Sequence, residues 1–262
     1  MNRKMLLLLL SFSAMVLNGC MGVDKVKPCD VVIGSHPAVT PVPRADKEGW
    51  MARHQSMVDR VAKGNVDLLM IGDSITHGWE SSGKEVWAKY YGSRNAVNLG
   101  IGGDRTEHVL WRLENGEIEN IHPKLAIVMI GTNNSNGEQY TAEQIADGIK
   151  AIVCKLRTKL PETKVLILAI FPRGDAEQRK TKEQDATPNA QWAKNDKASQ
   201  LASLAADGKM VFYLDINKAL LNEQGVLTRT VMPDLLHPKE KGYQLWAAAM
   251  EPTIAKLMGE KK

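Results

Sequence analysis

The chain has 262 residues and a formal net charge of +4. That length suits one large α/β domain, or else two small ones, with a substantial core that needs no disulfides. The charge is modest, part of it lies in the leader and in Lys261-Lys262, and no dense basic patch is interleaved with aromatics. Composition therefore gives no footing to a nucleic-acid binder. Nothing has the CxxC or His/Cys spacing of a metal site, so neither a metal nor another cofactor is expected.

The chain opens with Asn2-Arg3-Lys4, then Met5 to Leu10 and Ser11 to Leu17. This is a charged region followed by an apolar stretch too short and too interrupted to span a membrane. It ends in Leu17-Asn18-Gly19-Cys20, which resembles the lipobox of bacterial lipoproteins. The resemblance implies a signal peptide over residues 1–19, lipidation of Cys20, and an exported protein anchored in the bacterial envelope. A plain secretory signal would give a periplasmic or secreted protein without the anchor. With Cys20 taken by lipid, Cys29 lies in an irregular segment and Cys154 on a helix face. No disulfide is expected between them, and Cys154 reads as a buried thiol filling the core.

Residues 20–45 carry Pro28, Pro37, Pro41 and Pro43 and read as a tether or a wrapping arm. The folded domain is expected over residues 46–262. Asp46 to Lys63 has helical spacing, and Gly64-Asn65 turns the chain into an apolar run from Val66 to Ile71. Four more such runs follow: Ala96 to Leu99, Leu125 to Ile130, Val165 to Ile170 and Val211 to Ile216. Segments of helical periodicity separate or follow them: Glu85 to Tyr91, Thr106 to Glu114, Ala142 to Leu160, Gln191 to Ala206 and Lys239 to Met258. Strand and helix alternating in this way predict an α/β fold, a parallel sheet with helices on both faces. Arg173 to Asn189 is a polar excursion at the edge where such folds bind ligands, and its plainer reading is a solvated loop.

Chemistry gathers at the strand ends. The first run stops at Gly72-Asp73-Ser74, which is either an ordinary turn or a serine presented at the carboxyl rim of the sheet. The second finishes in Gly100-Ile101-Gly102-Gly103-Asp104-Arg105, where glycines let backbone N–H groups approach a ligand. A phosphate loop is the competing reading, but neither GxGxxG nor GK[ST] is present. The third finishes in Gly131-Thr132-Asn133-Asn134, with an amide able to face a developing oxyanion. A late loop, Asp234-Leu235-Leu236-His237-Pro238, spaces a carboxylate and an imidazole for one short turn. Together these residues supply a nucleophile, a base, an orienting carboxylate and oxyanion donors for acyl transfer.

These four blocks resemble blocks I, II, III and V of the SGNH (GDSL) hydrolases. The similarity is strongest with the branch of the platelet-activating-factor acetylhydrolase catalytic subunits. It runs on through His108-Val109-Leu110-Trp111-Arg112-Leu113-Glu114-Asn115-Gly116-Glu117, Gly148 to Val153 and Pro172-Arg173-Gly174. The resemblance implies a flavodoxin-like three-layer α/β/α fold on a five-stranded parallel sheet. It implies Ser74 as nucleophile, His237 as base and Asp234 as its orienter. The oxyanion hole it implies comes from the N–H groups of Ser74 and Gly103 and the side chain of Asn133. A homodimer follows only by analogy with dimer-forming relatives. The leader, the arm and the loop from Asp175 to Asn189 depart from the family and leave a phospholipid substrate open, since many exported relatives deacetylate carbohydrates.

Ile75, Thr132 and Leu236 are read as walls of a small acyl pocket, which favours acetyl over long-chain esters. Asp104 and Arg105 either hold substrate or form a structural ion pair or cap. His54, His77, His108 and His122 are read as surface or packing residues, Asp73 as a turn former, and Trp79 and Trp87 as packing or cleft-lining rings. The function expected is a serine esterase that removes a short acyl group, acetyl foremost, from a carbohydrate or lipid-like ester. The alternatives are a catalytically inactive carbohydrate-binding lipoprotein and a nucleotide-binding flavodoxin-like protein.

Overall fold

The computed structural model describes residues 34–260; the leader, Cys20 and Cys29 lie outside them. In chain order the elements are α1 (Trp50–Ala62), β1 (Leu68–Gly72), α2 (Ser74–His77), α3 (Lys84–Tyr91), β2 (Ala96–Gly100), α4 (Thr106–Glu114), β3 (Leu125–Met129), α5 (Ala142–Lys159), β4 (Lys164–Leu168), α6 (Ala176–Lys180), α7 (Ala190–Ser203), β5 (Val211–Leu214) and α8 (Glu240–Met258). The five strands form one sheet in the order β2-β1-β3-β4-β5, and every pairing is parallel.

Period-two alternation of the strand side chains builds two cores, one on each face of the sheet. Leu69, Ile71, Val97, Leu99, Ala126, Val128, Val165 and Ile167 face a layer from α1, α4, α5 and α7. Leu68, Met70, Leu125, Ile127, Met129, Leu166 and Leu168 face α3 and α8. The result is the three-layer α/β/α arrangement. In a sheet of order 2-1-3-4-5 the chain switches direction at β1 and β3, and ligands sit beyond the carboxyl ends there. Gly72 closes β1 level with Gly100 on one side and Met129 on the other, so three of the four polar blocks emerge together.

The segment before α1 is laid on the domain. Ala38 is fully buried, its carbonyl accepts from Thr106 Oγ1 at 2.8 Å, and Val42 N–H donates to the Glu107 carbonyl at 3.3 Å. Helix α1 begins only at Trp50, because Gly49 sits at φ 73 and interrupts the predicted start at Asp46. The polar excursion after β4 holds a short helix, α6, which Asp175 caps by accepting from the N–H groups of Glu177 and Gln178. An antiparallel bridge between Ala186 and Leu227 ties its far end down.

Cys154 corrects an expectation: it is half-buried and disulfide-bonded, not a thiol filling the core. Its partner lies outside the described residues.

Beneath the glycine loop lies a buried charged cluster. Arg112 Nε donates to Asp104 Oδ2 at 2.8 Å, its Nη1 donates to Glu117, and its Nη2 to the carbonyl of Gly72 at 3.3 Å. Trp50 Nε1 donates to Asp104 Oδ1 at 2.7 Å, and His54 Nδ1 lies 2.8 Å from Glu117 Oε1. Removing one member of such a cluster leaves an uncompensated charge in the core. Arg112→Ala is therefore expected to lower unfolding free energy by about 3–5 kcal/mol in urea titrations. A loss below about 1 kcal/mol, the range of exposed pairs, would contradict this account.

Candidate active site

Strand β1 runs directly into a single helical turn. Gly72 is required there: a Cβ would lie 2.1 Å from Thr76 Oγ1 and 2.5 Å from the Met129 carbonyl. Asp73 then caps α2, its Oδ1 accepting from Ile75 N–H at 3.0 Å. Ser74 follows as the first helical residue.

Ser74 Oγ lies 2.9 Å from His237 Nε2 across a sequence separation of 163. His237 Nδ1 lies 2.7 Å from Asp234 Oδ2. The other oxygen of Asp234 accepts from the N–H groups of Leu236 at 3.1 Å and His237 at 2.7 Å. Burial by itself would raise the Asp234 carboxyl; the hydrogen bonds from the His237 ring, His237 N–H and Leu236 N–H outweigh it and hold the group well below the carboxylate range. Asp234 is thus an acceptor only, so Nδ1 carries the proton and Nε2 is left to take one from Ser74. Between carboxylate and imidazole, the buried Leu235 adopts φ 56, a conformation costly for a bulky residue and found at functional turns.

The oxyanion candidates lie beside this relay. Gly103 sits at φ 77, and its N–H has no acceptor among the described residues. Asn133 Nδ2 donates one hydrogen to the Asp104 carbonyl at 2.9 Å, which fixes the amide and leaves its second hydrogen available. The Thr132 carbonyl and hydroxyl accept from Arg173 Nη1 at 3.0 and 3.1 Å. Burial and the nearby Arg179 lower the Arg173 guanidinium to about 10.

A cleft of about 410 Å³ opens at Ser74 and His237 and is walled by Ser81, Ser82, Lys239 and Tyr243 among others. Lys239 Nζ donates to Ser82 Oγ at 3.2 Å across it. A somewhat larger groove, about 480 Å³, lies between α3 and α8 around Lys89, Glu240 and Gln244, away from Ser74 and His237. Among the described residues no group of His, Cys, Asp or Glu is arranged to hold a metal ion.

Other residues fall differently from their sequence reading. Ile75, Thr132 and Leu236 are buried and do not line the cleft. Ile75 offers its carbonyl to Tyr243 Oη at 2.7 Å. Trp79 does not line the cleft either; it is buried against Trp87, Tyr91, Tyr243 and Trp246. Asp104 takes the structural option as the hub of the buried cluster. Arg105 heads α4, its N–H donating to His108 Nδ1 at 2.9 Å, and its side chain reaches Gln139. Burial, followed by Arg44, Arg105 and Arg112, pushes His108 down to about 3. Sequence reasoning missed Arg44, Tyr243 and Lys239, and it saw Arg173 only within a polar excursion and a resemblance.

A serine, a histidine and an aspartate linked in this order at the carboxyl rim of a parallel sheet define a serine hydrolase site. The sequence profile described as the GDSL-like lipase/acylhydrolase family matches residues 70–245. The chain belongs to that family and is a carboxylic ester hydrolase of the SGNH (GDSL) type. It is 34% identical over 231 residues to platelet-activating factor acetylhydrolase IB subunit alpha1 of Rattus norvegicus, covering 87% of this chain and 93% of the relative. Among solved structures it resembles a GDSL-like lipase from Bacteroides thetaiotaomicron, with TM-score 0.60 and 18% identity over 79% of this chain and 96% of the other. It also resembles an acetyl-xylooligosaccharide esterase from Geobacillus, with TM-score 0.55 and 18% identity over 76% and 96%. At those identities the structural likeness speaks for the fold.

Asp73 generates a pH prediction. Burial raises its carboxyl to about 7, and Oδ2 is buried without a partner. Between about pH 4 and 7 the folded chain therefore keeps a proton that the unfolded chain, with an ordinary carboxylate, releases. Stability contributed by this group falls as pH rises through that window and levels off above it. Asp73→Asn removes the dependence, so its stability relative to the parent should climb from about pH 4 to 7 in urea titrations. A difference that stays flat across the window would contradict this.

Proposed function

We propose that the chain hydrolyses short-chain esters, acetyl foremost, of a hydroxyl-rich carrier such as a carbohydrate, through an acyl-enzyme on Ser74. The observation that carries this reading is the hydrogen-bonded relay Ser74–His237–Asp234 opening onto a cleft whose wall includes Ser81, Ser82 and Lys239. His237 Nε2 takes the hydroxyl proton as Ser74 Oγ bonds to the ester carbonyl carbon. The carbonyl oxygen becomes an anion met by the N–H groups of Ser74 and Gly103 and the free amide hydrogen of Asn133. Collapse breaks the bond to the alcohol, which leaves with the proton from His237. Water then repeats the sequence on the acyl-serine and releases the acid, and Asp234 steadies the imidazolium in both halves.

Two features support the substrate class. The cleft wall offers Ser81, Ser82 and Lys239 where a lipid-binding wall would offer aliphatic chains. Ile75, Thr132 and Leu236 are buried and line no part of the cleft, so they open no apolar groove to a long acyl chain. The printed names of the relatives, an acetylhydrolase and an acetyl-xylooligosaccharide esterase, agree with acetyl as the group removed. Export by the leader and anchoring through Cys20 belong to the same proposal and would bring the enzyme to extracellular glycans.

Acetate release from a panel of acetylated glycans and phospholipids tests the reading, with Ser74→Ala as blank. The expected result is release from acetylated glycans, slower hydrolysis of an octanoyl ester, and a loss on the order of 10⁴-fold in Ser74→Ala. A fluorophosphonate probe should label the parent at Ser74. Near-normal turnover in Ser74→Ala, or octanoyl hydrolysed as fast as acetyl, would overturn it.

A further inference from the structure

Arg44 lies outside the sheet and helices, in the segment laid over the domain before α1. Its Nη1 donates to the carbonyl of Gly102 at 2.8 Å and to Asp104 Oδ1 at 3.2 Å. A peptide unit is one rigid plane with its C=O and N–H on opposite sides. The carbonyl of Gly102 and the N–H of Gly103 belong to the same plane. A hold on the first therefore sets the direction of the second.

This peptide needs holding. Neither Gly102 nor Gly103 has a side chain to anchor it, and Gly103 occupies the left-handed region, so a flip of the plane meets little steric resistance. A flipped plane would aim a carbonyl at the oxyanion where a donor is needed. With Arg44 in place, the flip would break a charge-assisted hydrogen bond and turn an N–H toward a guanidinium. The cation on the carbonyl also polarises the peptide and strengthens its N–H as a donor. The guanidinium lies close against the loop, since a Cβ on Gly103 would come within 3.0 Å of Nη1 and Nη2. Trp50 Nε1 shares Asp104 Oδ1 with Arg44, which ties the guanidinium's partner to the buried cluster.

We propose that Arg44 is a positioning residue that locks the Gly102–Gly103 peptide with its N–H toward the oxyanion. The inference rests on the reading of Gly103 as an oxyanion donor in ester hydrolysis. Arg44 stabilises charge that appears only as the tetrahedral intermediate forms, so it acts on the rate of chemistry and not on ground-state binding.

The test is steady-state kinetics of Arg44→Ala, Arg44→Gln and Arg44→Lys on p-nitrophenyl acetate, with competent serine counted by the endpoint of fluorophosphonate labelling. For Arg44→Ala the expected result is a fall in kcat of roughly tenfold, below the loss from deleting an oxyanion donor outright, with KM within about twofold. Arg44→Lys should lie between parent and Arg44→Ala, and added methylguanidinium should restore part of the lost kcat. A merely structural role would lower the melting temperature and leave kcat per competent serine unchanged. That outcome, or a rise in KM alone, overturns the proposal. If Arg44→Ala fails to fold, normal kcat in both Arg44→Gln and Arg44→Lys does the same. Turnover that persists in Ser74→Ala would instead strike the esterase reading itself.

Discussion

The chemistry of the site depends on one hydrogen bond, between Ser74 Oγ and His237 Nε2. A serine hydroxyl is a weak nucleophile until a base accepts its proton, and the base here comes from the far end of the chain. Two local devices make the meeting possible. On one side Gly72 lets β1 pass close to Thr76 and Met129 before Asp73 turns the chain into α2. On the other, Asp234 gathers the N–H groups of Leu236 and His237 on one oxygen and the imidazole on the other. Tyr243 of α8 then joins the two sides by donating to the carbonyl of Ile75.

The donors around this bond are held from below by charge. Arg112 is fully buried between Asp104 and Glu117 and touches the carbonyl of Gly72. Asp104 lies at the end of the glycine loop, and its backbone carbonyl accepts from the amide of Asn133. A buried ionic cluster is weak evidence for stability as such, because desolvation offsets most of its attraction. Its value here is geometric. Asp104 joins the glycine loop to the asparagine after β3 through its backbone carbonyl, and to the end of β1 through Arg112 and the overlying segment through Arg44 by its carboxylate. Preorganised donors of this kind need not reorganise when charge develops.

Much of this was legible in the chain. Runs apolar on both faces, such as Leu68 to Ile71 and Leu125 to Met129, mark buried parallel strands, and α4 begins and ends where its periodicity says. The blocks around Ser74, Gly103, Asn133 and Asp234–His237 could be read because each sits at a strand end or a proline-bounded loop. What escaped depends on contacts that periodicity does not carry. Arg44 sits in a proline-rich stretch without helical or strand pattern. Trp79 was open to either a packing or a cleft-lining role, and only its ring contacts with Trp87, Tyr91, Tyr243 and Trp246 decide for packing. The five-residue α6 is too short for a periodic signal, and the disulfide at Cys154 has no signature in spacing alone. Leu235 at positive φ defies its residue type, as positions held in strain do.

The most direct test of the relay is to trap its intermediate. Acid-quenched mass spectrometry, after brief mixing with an acetyl ester, should find one acetyl group on the peptide carrying Ser74. That adduct should vanish in His237→Ala. Turnover without an adduct on Ser74, or with the acetyl group on another residue, would contradict the account.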